Sequence, residues 1–461
     1  MTMKKALLSA LILLIGLFAS ITFVKSAKSF NLPDIPELSD KIIPGQYIVV
    51  YKDSVVSPDQ VTDELEQLHL LKSKFRFSRV LKGYTAVFTP EKLERVKKDP
   101  RVAFVSEDRE ITIAQWWSRR RRTPTPTRTP TPTRTPTPPQ SPTPTSSLTP
   151  TPTPTTGVSN QTIPTGVSRI GLNAVNEGEG IGVAVIDTGV DLDHPDLSGN
   201  IIANKSCIRG KSTGDDDNGH GSHVAGTIGA VDNSIGVLGV ASKAKLIAVK
   251  VLNSRGSGSW SSVICGIDWV TANASAYNIK VANMSLGGGG SSDNNCGNTN
   301  SDALHYAICK SRDAGVTYVV AAGNSGANAS NSVPAAYDDA VITISALADS
   351  DGQTGGTGPA TSSGADDTFA TFSNYGNVVD LGGPGVSIYS TYKNKGYATL
   401  SGTSMATPHV AAAAALYLKT NPSADWSTVL AGLKAAGEPL GSGHTDPSGR
   451  HPEPVVKANS L

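Results

Sequence analysis

The segment GVAVIDTG, residues 182–189, decides the fold. Its first five residues are apolar or small, a run of the length expected for a buried strand, and Asp187 follows directly before a turn. Comparable apolar runs occupy residues 245–251, 281–285 and 316–322, with helical stretches between them. This alternation predicts an α/β domain in which a mostly parallel sheet has helices on both faces. In such sheets, functional side chains collect at the carboxyl ends of the strands.

Two further motifs place reactive side chains at the starts of helices. In DNGHGSHVAGT, residues 217–227, glycines flank His220 at the entry to a helix. In SGTSMATPHV, residues 401–410, Ser404 opens an Ala-rich helix, and Pro408 lies in an early turn that tolerates proline. The hydroxyl of Ser404 is therefore expected where a helix N-terminus favours developing negative charge.

The histidine motif also permits a different interpretation. His220 and His223 are three residues apart and follow residues 215–217, which are all aspartate. Imidazole and carboxylate groups at such spacing can ligate a metal ion. A metal-dependent hydrolase therefore stands as an alternative, which inhibition by a serine-directed reagent would exclude.

The three reactive residues occur in the order Asp, His, Ser, which is the order found in the subtilisin type of triad. On these motifs and their wide spacing, residues 160–461 resemble a subtilisin-like serine peptidase (subtilase) domain. The resemblance implies that Ser404 is the nucleophile, that His220 takes its proton and returns it to the leaving amine, and that Asp187 holds the imidazole. In the motif AAGNSG, Asn324 matches the oxyanion asparagine of the family.

The resemblance also implies a substrate cleft between two strands. The matching strand residues are Gly256, Ser257 and Gly258 on one side, and Ser285, Leu286 and Gly287 on the other. Main-chain pairing binds any extended peptide, so specificity depends on side-chain pockets. By the same resemblance, Ala322 and Gly323 wall a roomy S1 pocket, and Trp260 joins Leu286 in an apolar S4 pocket. A core position on a helix is the alternative for Trp260.

These cleft motifs contain no acidic residue that would select Lys or Arg at P1. We therefore expect a broad endopeptidase that favours apolar or bulky neutral P1 residues, with polypeptides as its substrates.

A structural calcium site is a further implication of the resemblance. The matching side chains are Gln161, Asp196 and Asn233, and the matching loop carbonyls are those of Val231, Ile235 and Val237. Carboxylate, amide and carbonyl oxygens are the ligands that calcium prefers. Asp380 and residues 215–217 are candidates for a second, weaker ion.

Residues 45–113 have a different character. Their pattern predicts a strand at 46–51, a helix at 58–71, two strands within 75–89 that turn at Lys82 and Gly83, a helix at 90–98 and a strand at 102–113. This order fits a small α+β, ferredoxin-like domain. Next to a subtilase domain it resembles the inhibitor-type propeptide, which implies assistance in folding and then intramolecular inhibition.

A Thr-Pro repeat with four consecutive arginines separates the two domains, at residues 116–159. Proline at every second position predicts an extended, semi-rigid linker. Cleavage near Gln115 would leave the linker on the mature enzyme, whereas cleavage near residue 159 would remove it. We expect the first, followed by trimming.

The N-terminus predicts export. Lys4 and Lys5 precede an apolar run at residues 6–24, and small residues follow, so residues 1–27 are interpreted as a signal peptide, with an uncleaved anchor as the alternative. Exported cysteines can pair: Cys296 and Cys309 bracket a short segment, which leaves Cys207 with Cys265. Four cysteines nevertheless allow three connectivities.

The composition excludes other classes of protein. The chain has 461 residues, of which 38% are hydrophobic, so a wholly disordered or collagen-like chain is excluded. Residues 1–159 carry 23 basic and 14 acidic residues, while residues 160–461 carry 17 and 25. Residues 160–461, the predicted peptidase domain, are therefore acidic, which argues against binding of nucleic acid. A secreted monomeric peptidase is expected, and a catalytically silent, surface-tethered binding protein is the alternative.

Overall fold

The computed structural model describes residues 41–113 and 161–461, which belong to one compact unit. The predicted signal peptide, residues 1–27, and the predicted linker, residues 116–159, lie outside the described residues. Within the described ranges, no helix is both long and apolar enough to cross a bilayer.

The first described segment forms a four-stranded antiparallel sheet backed by two helices. The strands lie in the order β4, β1, β3, β2, the order of a ferredoxin-like domain. Its elements are β1 (Ile42–Tyr51), α1 (Pro58–His69), β2 (Phe75–Phe77), β3 (Gly83–Val87), α2 (Pro90–Lys97) and β4 (Val102–Ile113).

Four boundaries differ from the sequence expectation, of which the smallest difference is that α2 ends at Lys97 and not at residue 98. Helix α1 ends at His69 because Leu70 adopts a left-handed conformation, with φ of 50°. The strands β2 and β3 pair from Phe77 opposite Gly83, so their connection occupies residues 78–82 and not a tight turn at Lys82. Strand β1 also starts earlier, at Ile42, through a register shift before Tyr47.

The second segment has a central sheet in the order β14, β13, β11, β9, β5, β7, β6, with β15 beside β13. All of these pairs are parallel except β13 with β14. Its strands are β5 (Gly182–Asp187), β6 (Ile201–Ser206), β7 (Lys245–Lys250), β9 (Ile279–Met284), β11 (Thr317–Ala321), β13 (Ile342–Ala348), β14 (Thr368–Phe369) and β15 (Leu381–Pro384).

Helices cover both faces of this sheet, which confirms the predicted α/β class. The helices of this segment are α3 (Thr165–Ile170), α4 (His220–Gly229), α5 (Trp260–Asn273), α6 (Ala303–Asp313), α7 (Thr403–Thr420) and α8 (Trp426–Ala436). One buried cluster contains residues of α4 and α7, and the other contains residues of α5 and α6. The strands are apolar on both sides because each side meets a layer of helices.

The remaining short strands lie outside the central sheet. They are β8 (Ser257–Ser259), β10 (Leu286–Gly289), β12 (Ser332–Val333), β16 (Ile388–Tyr392) and β17 (Gly396–Leu400). Strands β8 and β10 both pair with β4, whereas β16 and β17 form a separate hairpin. Disulfides join Cys207 to Cys265 and Cys296 to Cys309.

Candidate active site

The functional residues meet at the carboxyl edge of the central sheet. Strands β5 and β9 are parallel with Val185 opposite Asn283, so Asp187 and Ser285, two positions further on, reach the same edge. Ser285 in turn contacts Ser404: the Ser285 hydroxyl donates to the Ser404 carbonyl (2.9 Å), and the Ser404 hydroxyl donates to the Ser285 carbonyl (3.2 Å). The fold therefore brings the predicted Asp and Ser motifs to one place.

Asp187 and His220 form a buried hydrogen-bonded pair. The His220 Nδ1–H donates to Asp187 Oδ1 at 2.8 Å, and the Thr188 backbone N–H donates to the same oxygen at 2.7 Å. Both side chains are buried. Helix α4 begins at His220 and lies close to the loop that follows β5. This close approach requires glycine at position 221, because a Cβ atom there would overlap the Gly189 carbonyl oxygen. The imidazole is thus held through Nδ1, which leaves Nε2 as the ring nitrogen that can accept a proton.

Nε2 of His220 is buried and has no hydrogen-bond partner among the described residues. The Ser404 hydroxyl donates to the Ser285 carbonyl instead of to this nitrogen. Proton transfer from Ser404 to His220 therefore requires the hydroxyl to leave Ser285, and catalytic hydrogen bonds commonly tighten only when substrate is present.

Asn324 is oriented by Thr403. The Thr403 backbone N–H and hydroxyl donate to Asn324 Oδ1 at 2.8 Å and 3.0 Å. The Thr403 hydroxyl in turn accepts from the Gly323 backbone N–H at 3.2 Å. Because Oδ1 is fixed as an acceptor, the opposite side of the amide presents Nδ2 as a donor. Asn324 follows β11, which is adjacent to β9 in the sheet, and Ser404 lies in the first turn of α7.

The predicted substrate cleft holds the chain's own strand β4. Its end lies between β8 and β10 and is antiparallel to both, with Ile111 opposite Gly258 and Ile113 opposite Leu286. The Ile113 backbone N–H also donates to the Gly256 carbonyl at 3.0 Å. Ile111 is completely buried and belongs to the same apolar cluster as Trp260 and Leu286. This strand thus occupies the place predicted for an extended peptide.

Two carboxylates fix the first domain on helix α5. Asp108 is fully buried and accepts from the Ser261 backbone N–H at 3.1 Å, in the first turn of α5, and from the Ser261 hydroxyl and the Gln46 amide at 2.5 Å each. Burial raises the pKa of Asp108, while these hydrogen bonds oppose the rise. Further along α5, Asp268 accepts from the Arg79 backbone N–H at 2.7 Å.

The predicted calcium ligands are also brought together. Gln161 Nε2 donates to the carbonyls of Val231 (2.7 Å) and Val237 (3.0 Å), and Asn233 Nδ2 donates to Asp196 Oδ1 (3.1 Å). Rotation of both amides by 180° would present their oxygens in place of nitrogen, at the loss of the N–H contacts from Ser234 and Ile235, and would give a set of hard oxygen ligands. Ile235 lies in the same loop and is exposed. This donor set fits calcium.

Two of the candidates for a second ion, Asp380 and Asp217, form ion pairs with lysines. Asp380 Oδ1 accepts from Lys434 Nζ at 2.7 Å, and its Oδ2 accepts from the Thr343 backbone N–H. Asp217 pairs with the buried amine of Lys250 at 2.6 Å. Each of these carboxylates already has a positive partner, and the weaker second ion suggested by the sequence stays a prediction.

His223 does not serve as a second ligand beside His220. It is fully buried, and its Nε2–H donates to the carbonyls of Ile388 (3.0 Å) and Ala398 (3.2 Å) in the β16–β17 hairpin. Burial, with the adjacent charge of His220, lowers the pKa of His223 to about 3. The residue is a neutral structural group.

Sequence reasoning missed the residues that position Asp187 and His220. Asp216 accepts from the hydroxyls of Thr188 (2.9 Å) and Ser222 (2.7 Å), and the Thr188 hydroxyl accepts from the Gly221 N–H (2.9 Å). This network joins the loop after β5 to the start of α4. The signal was present in the run of aspartates at 215–217, which the sequence analysis considered only for ion binding.

Comparisons with known proteins agree with this geometry. Residues 178–446 match the subtilase family, and residues 46–114 match the peptidase inhibitor I9 family. Subtilisin DY of Bacillus licheniformis is 40% identical over 288 residues, which are 61% of this chain and 93% of that protein. Subtilisin Savinase of Lederbergia lenta is 44% identical over 276 residues, 58% of this chain and 88% of that protein.

One longer sequence match and one solved structure are also similar to this chain. Alkaline serine exoprotease A of Vibrio alginolyticus is 34% identical over 409 residues, 85% of this chain and 63% of that protein. The crystal structure of a cold adapted subtilisin-like serine proteinase matches with a TM-score of 0.53 and 36% identity, over 66% of this chain and 99% of the other.

The fold and the strand-edge site define a subtilisin-like serine endopeptidase preceded by an inhibitor domain. The chain belongs to the subtilase family. Its first described domain is an I9 propeptide, which implies a precursor with an intramolecular inhibitor and polypeptide substrates.

Proposed function

We propose that this chain is the precursor of a secreted, calcium-stabilised serine endopeptidase with Asp187, His220 and Ser404 as its catalytic triad. The observation that carries the proposal is the buried 2.8 Å pair of His220 and Asp187, at the same sheet edge as the Ser404 hydroxyl. The triad is recognised by geometry and roles.

Catalysis would proceed by acyl transfer. Ser404 Oγ attacks the scissile carbonyl carbon as its proton passes to His220 Nε2, and Asp187 stabilises the imidazolium. Asn324 Nδ2 and the Ser404 backbone N–H stabilise the oxyanion. The intermediate collapses when His220 protonates the leaving amine and the C–N bond breaks. Water, deprotonated by His220, then hydrolyses the acyl-enzyme and regenerates Ser404.

Broad specificity follows from main-chain recognition. An extended substrate would replace β4 and pair with residues 256–258 and 285–287, which read only the peptide backbone. Ala322 and Gly323 offer no charged group to a P1 side chain, and Trp260 with Leu286 would accept an apolar P4 residue as they accept Ile111. A strong preference for Arg at P1 in a peptide-library cleavage profile would contradict this part of the proposal.

Self-processing close to Gln115 is the second part of the proposal. The described part of β4 ends with Ile113 opposite Leu286, the residue that follows Ser285. The Ser285 carbonyl accepts the Ser404 hydroxyl, so the proposed nucleophile lies beside the end of the paired strand. Gln115 itself lies outside the described residues.

Calcium would stabilise the folded enzyme. Gln161, Asp196 and Asn233, with the carbonyls of Val231, Ile235 and Val237, would hold the ion, and binding only to the folded form raises stability by linkage. The ion supplies structural rigidity and takes no part in the proposed chemistry. A chelator that left the melting temperature unchanged would contradict this site.

Export rests on residues 1–27, which carry the pattern of a signal peptide and lie outside the described residues. The predicted disulfides suit an oxidising compartment. We propose a secreted monomer, and a cell-surface tether would require that the apolar run stay uncleaved.

The test is processing of the chain, expressed without residues 1–27 in calcium, beside its Ser404→Ala variant. Intact mass and N-terminal sequencing should show the wild type cut near Gln115 and the variant whole. If both stay whole and the wild type also fails to cleave casein, the silent binding protein replaces the enzyme. A first terminus at residue 160, with no earlier species, would contradict processing near Gln115.

A further inference from the structure

The loop between β13 and β14 gathers three carboxylates away from the active site. Asp349 directly follows β13, Asp351 is two residues further on, and Asp366 closes the loop before β14. One carboxylate oxygen of each residue lies within 4.8 Å of one from each of the others. None of the three belongs to the calcium site proposed above.

Asp349 is the most deeply buried of the three carboxylates. Its side chain is 2% exposed, and Oδ1 accepts from the Gly352 backbone N–H at 3.0 Å. Oδ2 is also buried but has no hydrogen-bond partner among the described residues. A buried carboxylate oxygen without a partner costs free energy unless a proton or a cation satisfies it.

The cation near Asp349 is the Arg169 guanidinium, which already forms ion pairs with other carboxylates. Arg169 is completely buried and pairs with Asp367 at 2.6 Å and with Glu438 at 2.7 Å. Asp349 therefore faces the negative charges of Asp366 and Asp367, which the charge of Arg169 and the hydrogen bond from Gly352 oppose only in part. Burial first, and these charges next, raise the pKa of Asp349 to about 7.

We propose that Asp349, Asp351 and Asp366 bind a calcium ion, with loop carbonyls and water completing the coordination. Three carboxylates are hard ligands, and the cluster contains no nitrogen or sulfur donor that would favour zinc or copper. Oxygens from residues two apart, Asp349 and Asp351, suit the multidentate loops that hold calcium.

The ion would fasten the loop to the start of the peptidase domain. Gly352, inside the loop, packs against helix α3, where an added Cβ atom would lie 3.1 Å from the Thr165 carbonyl oxygen and from Ser168 Cβ. Asp366 already accepts from the Ser350 backbone N–H at 2.8 Å and the Gly358 backbone N–H at 2.7 Å, so its two oxygens bridge distant parts of the loop. Calcium would join these contacts into one unit.

Calcium titration of the full chain carrying Ser404→Ala, freed of metal, tests the proposal. Calorimetry should find two ions per chain. Asp349→Asn should lose one or weaken it by about ten-fold or more, since the affinity of such sites follows the ligand charge. Asp196→Asn should lose the other ion, so failure of either site is seen separately. Asp313→Asn, which removes an exposed carboxylate, is the matched control.

Melting temperature gives the second readout. In calcium, Asp349→Asn should melt below the parent chain, whereas in chelator it should melt at the same temperature or above, because the substitution removes buried like-charge repulsion. If Asp349→Asn does not fold, the half-buried Asp351→Asn takes its place in both experiments.

Three results would overturn the proposal. The first is a parent chain that binds only the ion lost in Asp196→Asn. The second is an Asp349→Asn variant that is equally destabilised in calcium and in chelator, as expected for a purely structural carboxyl group. The third is tighter binding of magnesium alone than of calcium alone.

Discussion

Residues 41–113 and residues 161–461 bury their sheets in different ways. In the second region, helices of the same region cover both faces of the central sheet. In the first region, β1 turns Val49 and Tyr51 toward its own helices, but turns Ile48 and Val50 toward the peptidase domain. One face of the small sheet is therefore buried only by docking against a partner region.

This difference makes the first region a ligand of the second. Its strand β4 enters the cleft as an extended peptide would, and Asp108 caps helix α5 from outside. The peptidase domain has its own buried ion network, centred on Arg169, whereas the first region depends on contacts that dissociation would expose.

Loss of the nucleophile should abolish the separation of the two regions. Ser404→Ala removes the only group that can form the acyl-enzyme in the proposed mechanism, so processing near Gln115 should cease entirely. Mass spectrometry of the purified chain measures this. Cleavage of the variant at the wild-type rate would show that another protease separates the regions.

Asn324→Ala should lower kcat by about 10² to 10³ while KM changes little, because the amide acts on the oxyanion of the transition state. Hydrolysis of a chromogenic peptide by the processed enzyme measures this. Asn298→Ala, an exposed asparagine outside the site, is the control. An equal effect on KM would assign Asn324 to ground-state binding.

The ion network of the peptidase domain should make its stability sensitive to acid. Burial alone would raise the pKa of Glu438, but hydrogen bonds from His444 and Arg169 lower it from an ordinary 4.5 to about 2. A lowered pKa stabilises the fold above pH 4.5, and this contribution, on the order of 3 kcal/mol, is lost as the pH falls toward 2.

Glu438→Gln should therefore be less stable at pH 6 and should lose less stability between pH 6 and pH 3 than the parent chain. Thermal unfolding of the Ser404→Ala chain followed by circular dichroism measures both. Glu94→Gln, an exposed glutamate in the first region, should behave as the parent does. The same slope with pH in Glu438→Gln would assign the acid sensitivity to other groups.

Asp108→Asn should weaken inhibition by the released first region about ten-fold to a hundred-fold, because hydrogen bonds to a charged group contribute about 1.5–3 kcal/mol. The inhibition constant of the separated region against processed enzyme measures this. Asp59→Asn, an exposed change in α1, is the control. Unchanged inhibition would mean that strand pairing, the Asp268 contact and the apolar face of β1 hold the regions together without Asp108.

The sequence predicted what depends on local pattern and motif order. The apolar runs identified the strands, and the order of Asp187, His220 and Ser404 identified the enzyme class. The sequence did not predict that Asp216 links Thr188 to Ser222, because that role arises from a contact between residues 28 positions apart in the chain. The cluster of Asp349 and Asp366 was missed for the same reason, since it forms only when its loop folds back.

Boundaries set by single backbone conformations were also missed. Leu70 ends α1 by adopting positive φ, although nothing in its side chain favours that conformation. The side-chain direction of Ser404 depends on Ser285, a residue predicted only as part of a substrate strand. Such details depend on packing between distant segments of the chain and produce no periodic pattern in the sequence.

His223 provides a natural spectroscopic reporter of helix α4, which begins at the proposed catalytic histidine. Its imidazole N–H is completely buried, is shared between two carbonyls of the β16–β17 hairpin and stays on a neutral ring at ordinary pH. Such a proton exchanges slowly with solvent and should give a resolved resonance far downfield in an NMR spectrum. Because His223 lies one turn from His220, that single signal would report any opening of the helix during activation, without a probe being introduced.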